Sequence, residues 1–134
     1  MALNGGCLCG AVRYEVNDAP SGAMACFCKD CQKAGGAFHY GVVVPRGAFK
    51  LLSGELTAHV ATGDAGRTVT RHFCPVCGSG IYNEPEILPD IVVLRGGTLD
   101  EPCDVAPTRE LFARSKPDWI EVTSIKQSFE SVRD

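Results

Sequence analysis

The sequence CFCKDC, from Cys26 to Cys31, places three thiols within six residues. This spacing is too tight for ordinary disulfides and is typical of one side of a metal site. Two further clusters flank the stretch, CLC from Cys7 to Cys9 and CPVC from Cys74 to Cys77, so seven of the eight cysteines fall into three groups. We therefore predict that the chain folds around bound metal.

The seven clustered cysteines divide into four and three, which matches one closed and one open zinc site. A structural zinc has four protein ligands, whereas a reactive zinc keeps three and leaves a position for water or substrate. The turn CPVCG, from Cys74 to Gly78, lets two thiolates approach one metal, and its glycine lets the turn point N–H groups at sulfur. Cys7 and Cys9 are the other isolated pair, so we predict that the two pairs close one four-sulfur structural zinc.

The second predicted zinc is held by Cys26, Cys28 and Cys31 and is expected to keep an open position. One alternative is a closed site, for which the candidate fourth ligands are Cys103, His39, His59 and His72. Another alternative is an iron–sulfur cluster, which normally needs four cysteines, and only one group of four can be assembled here. The open site is preferred because Cys103 lies in an acidic turn and each histidine stands alone in the sequence.

Composition predicts one globular domain spanning residues 1–134. The net charge of −3 and the lack of a basic stripe argue against nucleic acid as a partner, and no apolar run is long enough for a membrane span. The start, from Met1 to Gly6, lacks the basic and apolar parts of a signal peptide, so a cytoplasmic location is expected. Thiols stay reduced there, which favours metal binding or catalysis over the alternative of a disulfide framework.

Short runs with strand periodicity and frequent Gly and Pro between them predict a mainly β fold. The segment 11–16 shows the pattern well, because Val12, Tyr14 and Val16 alternate with charged residues. One helical turn is predicted over 29–34, and the tail after Ser124 is expected to be solvated. The predicted strands are 11–16, 38–44, 49–52, 56–62, 67–73, 80–83, 91–94, 110–113 and 119–122.

Several motifs together resemble the glutathione-dependent formaldehyde-activating enzyme family, which includes the centromere protein V group. They are GCLCGAVRY from Gly6 to Tyr14, CFCKDCQK from Cys26 to Lys33, FCPVCG from Phe73 to Gly78, GGTLD from Gly96 to Asp100 and SKPDW from Ser115 to Trp119. The likeness extends over most of the chain, and the order of the three cysteine clusters is highly specific.

The resemblance implies a β-tent fold of antiparallel sheets with two zinc sites. Position by position, Cys26, Cys28 and Cys31 match the catalytic zinc ligands of the family, and the structural zinc ligands match Cys7, Cys9, Cys74 and Cys77. The implied reaction is carbon–sulfur lyase chemistry, in which glutathione adds to formaldehyde to give S-hydroxymethylglutathione. Only some members of the family have that activity.

The implied chemistry agrees with the residues present. Zinc deprotonates a bound thiol, and three thiolate ligands make the metal a weak Lewis acid, so delivery of a thiol to an aldehyde is favoured over activation of water. Lys29 and Lys33 follow the central cysteines and are candidates for pairing with substrate carboxylates. No Ser/His/Asp arrangement is recognisable, so any catalysis depends on the metal. The competing hypothesis is a noncatalytic protein, either a glutathione carrier or a zinc-stabilised interaction module.

Overall fold

Eleven strands, one α-helix and three short 3-10 helices form the regular structure of the described residues, 3–63, 66–101 and 104–131, in a computed structural model. The helix α1 spans Lys29–Gly35. The strands are β1 (Leu3–Gly6), β2 (Arg13–Val16), β3 (Gly22–Cys26), β4 (His39–Pro45), β5 (Phe49–Ser53), β6 (Thr57–Thr62), β7 (Thr68–Phe73), β8 (Gly80–Pro85), β9 (Ile91–Arg95), β10 (Arg109–Leu111) and β11 (Gln127–Ser128).

The strands form two sheets. The smaller sheet has the order β1-β2-β5, and the larger has the order β11-β10-β3-β4-β9-β8-β7-β6. The mainly β prediction is confirmed, and the strand pairs are antiparallel as expected except at β10, which runs parallel to both β3 and β11. The long connection between β9 and β10 allows this direction. A hairpin would reverse the chain, whereas a strand in parallel orientation needs a longer crossover connection.

The main core lies between the two sheets. Val12, Tyr14 and Val16 are fully buried on the side of the smaller sheet, as their alternation predicts. The larger sheet contributes a second set of buried residues, which includes Ala23, Val42, Val44, Ile81, Val92 and Leu94. The Tyr14 ring packs against Phe49, and its hydroxyl is 2.7 Å from Thr98 Oγ1, so this buried polar group has a partner.

The opposite face of the larger sheet lines a cavity. Along β4, His39 and Val43 occupy the face opposite to Val42 and Val44 and line this cavity. Cys26 of β3 lies directly beside His39 in the sheet register and lines the same cavity. The larger sheet therefore separates a core on one face from a candidate site on the other.

Most predicted strands are present, but the end of the chain differs. The predicted strand at 119–122 is wrong, since those residues form turns and irregular structure, and the strand predicted at 110–113 ends at Leu111. The tail after Ser124 is mostly exposed, yet it adds β11 to the sheet and brings Phe129 to the cavity wall.

One candidate from the sequence, Cys103 as a fourth metal ligand, lies outside the described residues. Of the residues at 63–66, between the predicted strands 56–62 and 67–73, only the first and last are described. Across the described ranges, no helix combines the length and apolar character that crossing a bilayer requires.

We expect Gly54→Ala to destabilise the protein. Gly54 has φ of +86°, and a Cβ there would lie 2.5 Å from the carbonyl oxygen of Ala11. The left-handed backbone and the clash together should lower the free energy of unfolding by about 2–4 kcal/mol. Chemical denaturation measures this change. Gly47→Ala is the matched control, because a Cβ at Gly47 meets nothing within 4 Å. Equal stabilities of the two variants would contradict the close approach of Gly54 to the backbone of Ala11.

Candidate metal centres and the adjoining cavity

Four cysteines from distant parts of the chain form the first cluster. The Sγ atoms of Cys7, Cys9, Cys74 and Cys77 all lie within 4.8 Å of one another. The Sγ–Sγ distance is 3.5 Å between Cys7 and Cys9 and 3.9 Å between Cys9 and Cys74. A tetrahedral metal with bonds of ~2.3 Å to sulfur requires an edge of ~3.8 Å. The four sulfurs therefore fit one metal ion as they stand.

Two tight turns present these four sulfurs. In the first turn, the N–H of Gly10 donates to the carbonyl of Cys7 at 3.1 Å, and in the second, the N–H of Gly78 donates to the carbonyl of Cys74 at 2.8 Å. Both glycines have positive φ, +82° and +78°, a conformation that other residues adopt at a cost. The Cys-x-Cys-Gly and Cys-x-x-Cys-Gly sequences thus fold into turns that aim paired thiols at one point.

Hydrogen bonds to the sulfurs stabilise the thiolate form. The N–H of Val12 donates to Cys7 Sγ at 3.2 Å. Ser79 Oγ accepts the N–H of Leu8 at 3.1 Å and lies 3.2 Å from Cys77 Sγ, so the hydroxyl donates to that sulfur when Cys77 is a thiolate. The hydroxyl and N–H of Ser79 lower the pKa of Cys77 to about 5. Sequence reasoning missed Ser79, although a hydroxyl two residues after a ligand cysteine is a usable signal.

The central stretch forms the second cluster. Cys26 ends β3, Cys28 caps the N-terminus of α1, and Cys31 lies in its first turn, which brings their three sulfurs within 4.8 Å of one another. The N–H of Cys31 donates to Cys28 Sγ at 3.3 Å. The neighbouring side chains of Cys26 and Cys31 hold the pKa of Cys28 well below its usual range. The side chains of Cys28 and Cys31, and then burial, raise the pKa of Cys26.

Neighbouring residues fix the position of the central stretch. The Phe27 side chain is fully buried, and its N–H donates to the carbonyl of Leu111 in β10 at 2.9 Å. Gln32 Nε2 donates to the carbonyl of Phe27 at 2.8 Å and to that of Ser115 at 3.0 Å. The sheet and the segment after β10 therefore hold the loop between Cys26 and α1 from two sides.

No histidine joins the sulfurs of the second cluster among the described residues. His59 is exposed on β6, and His72 Nε2 is 2.7 Å from Glu84 Oε2. His39 is buried beside Cys26, with Nδ1 3.5 Å from Asn83 Nδ2. Burial, and then the nearby charges of Arg95 and Arg71, lower the pKa of His39 to about 3, so its imidazole is neutral at neutral pH. The geometry therefore does not support the alternative of a closed site completed by one of these histidines.

A cavity of about 670 Å³ adjoins the second cluster. Its size falls within the range of roughly 300–1,000 Å³ that is usual for small-molecule sites. Apolar side chains form much of its wall, among them Met24, Val43, Val69, Ile87, Leu88, Ile91, Val93, Leu111 and Phe129. The cavity is large enough for a ligand the size of a short peptide.

Among the described residues, four cationic side chains also line the cavity, namely Lys29, Arg67, Arg71 and Arg109, against one carboxylate, Asp30. Arg71 Nη2 lies 3.8 Å from Cys31 Sγ, so one guanidinium contacts the cluster itself. Lys33, the other lysine singled out from sequence, is exposed and is not part of the wall. The three arginines were missed because they lie far in the sequence from the cysteines of the second cluster, Cys26, Cys28 and Cys31.

Comparison with known proteins gives a consistent result. The model of the glutathione-dependent formaldehyde-activating enzyme family matches residues 2–115. A Halomonas elongata protein, provisionally named as a glutathione-dependent formaldehyde-activating enzyme, is 32% identical over 139 residues, which cover 95% of this chain and 85% of the relative. A crystal structure of a Rhodobacter sphaeroides protein has a TM-score of 0.60 and 21% identity over 75% of this chain and 90% of the other, and it supports the fold alone.

We expect Ser79→Ala to weaken metal retention at the four-cysteine cluster. The variant loses the hydroxyl that donates to Cys77 Sγ, and loss of such an outer hydrogen bond typically lowers metal affinity by about 10- to 100-fold. Competition with a chromophoric chelator measures the affinity. Ser21→Ala is the control, because Ser21 is exposed and its hydroxyl donates to the carbonyl of Val43. The same affinity in both variants would show that Ser79 does not stabilise the thiolate.

Proposed function

The chain belongs to the glutathione-dependent formaldehyde-activating enzyme family, and on this basis we propose that it is a zinc-dependent carbon–sulfur lyase acting on S-hydroxymethylglutathione. In the synthetic direction it joins the thiol of glutathione to formaldehyde. One observation carries the proposal: three clustered thiols, with no fourth ligand among the described residues, border a cavity large enough for a peptide thiol.

Zinc is the metal that we propose for both clusters. Thiolates are soft ligands, and closely packed sets of three or four of them suit zinc well. Cys7, Cys9, Cys74 and Cys77 form the structural site, and Cys26, Cys28 and Cys31 form the site of reaction. A zinc ion held by the three-cysteine cluster would supply positive charge that keeps an added thiol deprotonated at neutral pH.

The reaction itself needs little rearrangement of atoms. The thiolate sulfur forms a bond to the carbonyl carbon, and the π electron pair of the C=O bond moves to oxygen, which takes up a proton. The proton lost by the thiol balances the one gained by the oxygen. The chain has to hold the thiol and the aldehyde together, because placing two reactants in one site removes much of the entropic barrier.

The surroundings of the cluster support this role. Apolar side chains such as Val93 and Leu111 line the cavity. Arg71 adds positive charge beside Cys31 Sγ, which favours thiolate over thiol at that sulfur. Together these residues provide a largely apolar wall with positive charge beside the sulfurs, which suits a thiolate nucleophile.

We also propose the β-tent fold that the family resemblance implies. The packing of a three-stranded sheet against an eight-stranded sheet is consistent with the β-tent fold. A single domain over residues 1–134 and a cytoplasmic location stay predictions from the sequence.

Metal analysis and kinetics test the proposed function directly. Protein purified without chelator should contain two zinc ions per chain, and it should accelerate adduct formation between glutathione and formaldehyde above the uncatalysed rate. Tight binding of glutathione without any acceleration would instead identify a noncatalytic carrier. A single zinc, or the absorbance of an iron–sulfur cluster, would overturn the assignment of the metals.

Cys77→Ala and Cys28→Ala should separate the two metal sites. A structural zinc contributes roughly 10–16 kcal/mol of apparent binding energy, which is comparable with the net stability of a whole domain. Cys77→Ala should therefore unfold or become insoluble, whereas Cys28→Ala should stay folded and lose thiol binding. Thermal melts and calorimetric titration with glutathione measure both properties. Equal destabilisation of the two variants would argue against one structural and one reactive site.

A further inference from the structure

Two arginines of the cavity wall have no carboxylate partner in the described part of the chain. Arg67 precedes β7 and Arg109 begins β10, and neither side chain makes a hydrogen bond or ion pair with the described residues. By contrast, Arg13 and Arg46, which lie outside the cavity, pair with Asp100 and Glu84. Unpaired guanidinium groups facing a cavity favour an anionic ligand.

The sheet register places the two arginines at different distances from the sulfurs. Leu111 pairs with Cys26, and the Cα of Arg109, two residues earlier, lies about 7 Å from the Cα of Leu111 along the strand. Arg71 contacts Cys31 Sγ, and the Cα of Arg67, four residues earlier, lies about 13 Å from the Cα of Arg71 in extended chain. The cavity thus has one nearer and one more distant cationic position.

The two positions also lie on separate walls. In the order of the larger sheet, β10 and β7 are separated by β3, β4, β9 and β8. A ligand that reaches both arginines from the cluster must therefore carry two anionic groups on arms that diverge from its sulfur. A thiol with a single carboxylate can satisfy only one of them.

We propose that Arg109 and Arg67 form a two-point recognition site for a thiol that carries two carboxylates. The inference rests on the proposed function and specifies how the substrate is selected. In glutathione the glycine arm is shorter than the γ-glutamyl arm, so Arg109 binds the glycine carboxylate and Arg67 binds the γ-glutamyl carboxylate. Arg71, which contacts Cys31 Sγ, remains beside the reacting sulfur.

Calorimetric titration of the zinc-loaded chain with glutathione and its esters tests this assignment. Arg109→Gln and Arg67→Gln should each raise the Kd for glutathione by about 10- to 100-fold, as expected when a hydrogen bond between charged groups is lost. Lys33→Gln is the matched control, since it removes an exposed charge outside the cavity wall and should leave the Kd unchanged.

The esters identify which arginine binds which carboxylate. Glutathione esterified only at glycine should bind Arg109→Gln as well as it binds the unsubstituted protein, while Arg67→Gln should still weaken its binding. The diester should bind all four proteins alike. If Arg109→Gln binds the glycine ester more weakly than the unsubstituted protein does, the assignment of the glycine carboxylate to Arg109 is wrong.

The outcomes also separate this inference from the proposed function. If glutathione binds and both arginine variants bind it as tightly as the unsubstituted protein, the arginines are solvated surface groups and the inference fails alone. If glutathione does not bind the unsubstituted protein at all, the proposed function fails and the inference fails with it.

Discussion

The close approach of seven cysteine sulfurs is the constraint on which the rest of the structure depends. Each cluster holds its sulfurs within 4.8 Å of one another. Two unit charges 4 Å apart repel each other by about 4 kcal/mol at an effective dielectric constant of about 20, so ionised thiols need a cation between them. A metal in the four-cysteine cluster would also tie the start of the chain, at Cys7 and Cys9, to the turn after β7.

The larger sheet serves two purposes through the alternation of its side chains. On one face, Val42 and Val44 of β4 complete the core against the smaller sheet, and on the other face, His39 and Val43 line the cavity. Gly41 is essential to this second face, because a Cβ there would lie 2.6 Å from Val93 Cγ1 and 3.3 Å from His39 Cε1. Stability and site geometry are thus encoded in alternate positions of the same strands.

The sequence was informative wherever the signal was local. Closely spaced cysteines predicted the two sulfur clusters, and the alternation of Val12, Tyr14 and Val16 predicted β2. The sequence was uninformative where a strand shows no alternation of apolar and polar side chains, and where strands far apart in the chain pair with each other. β3 went unrecognised because Gly22–Cys26 contains mainly small residues. The cavity arginines share a cavity with Cys26, Cys28 and Cys31 only because strands far apart in the chain join one sheet. The parallel placement of β10 likewise depends on a long connection that no local pattern reports.

The central claim is that the sulfur of a thiol substrate completes the metal site formed by Cys26, Cys28 and Cys31. Cadmium-113 NMR of the cadmium-substituted protein tests it most directly, because the chemical shift reports the number of sulfur ligands. Two resonances are expected, and glutathione should move only one of them, toward the position of the four-sulfur site, while S-methylglutathione should move neither. A spectrum that saturating glutathione leaves unchanged, or one with two four-sulfur resonances before any thiol is added, would contradict the account.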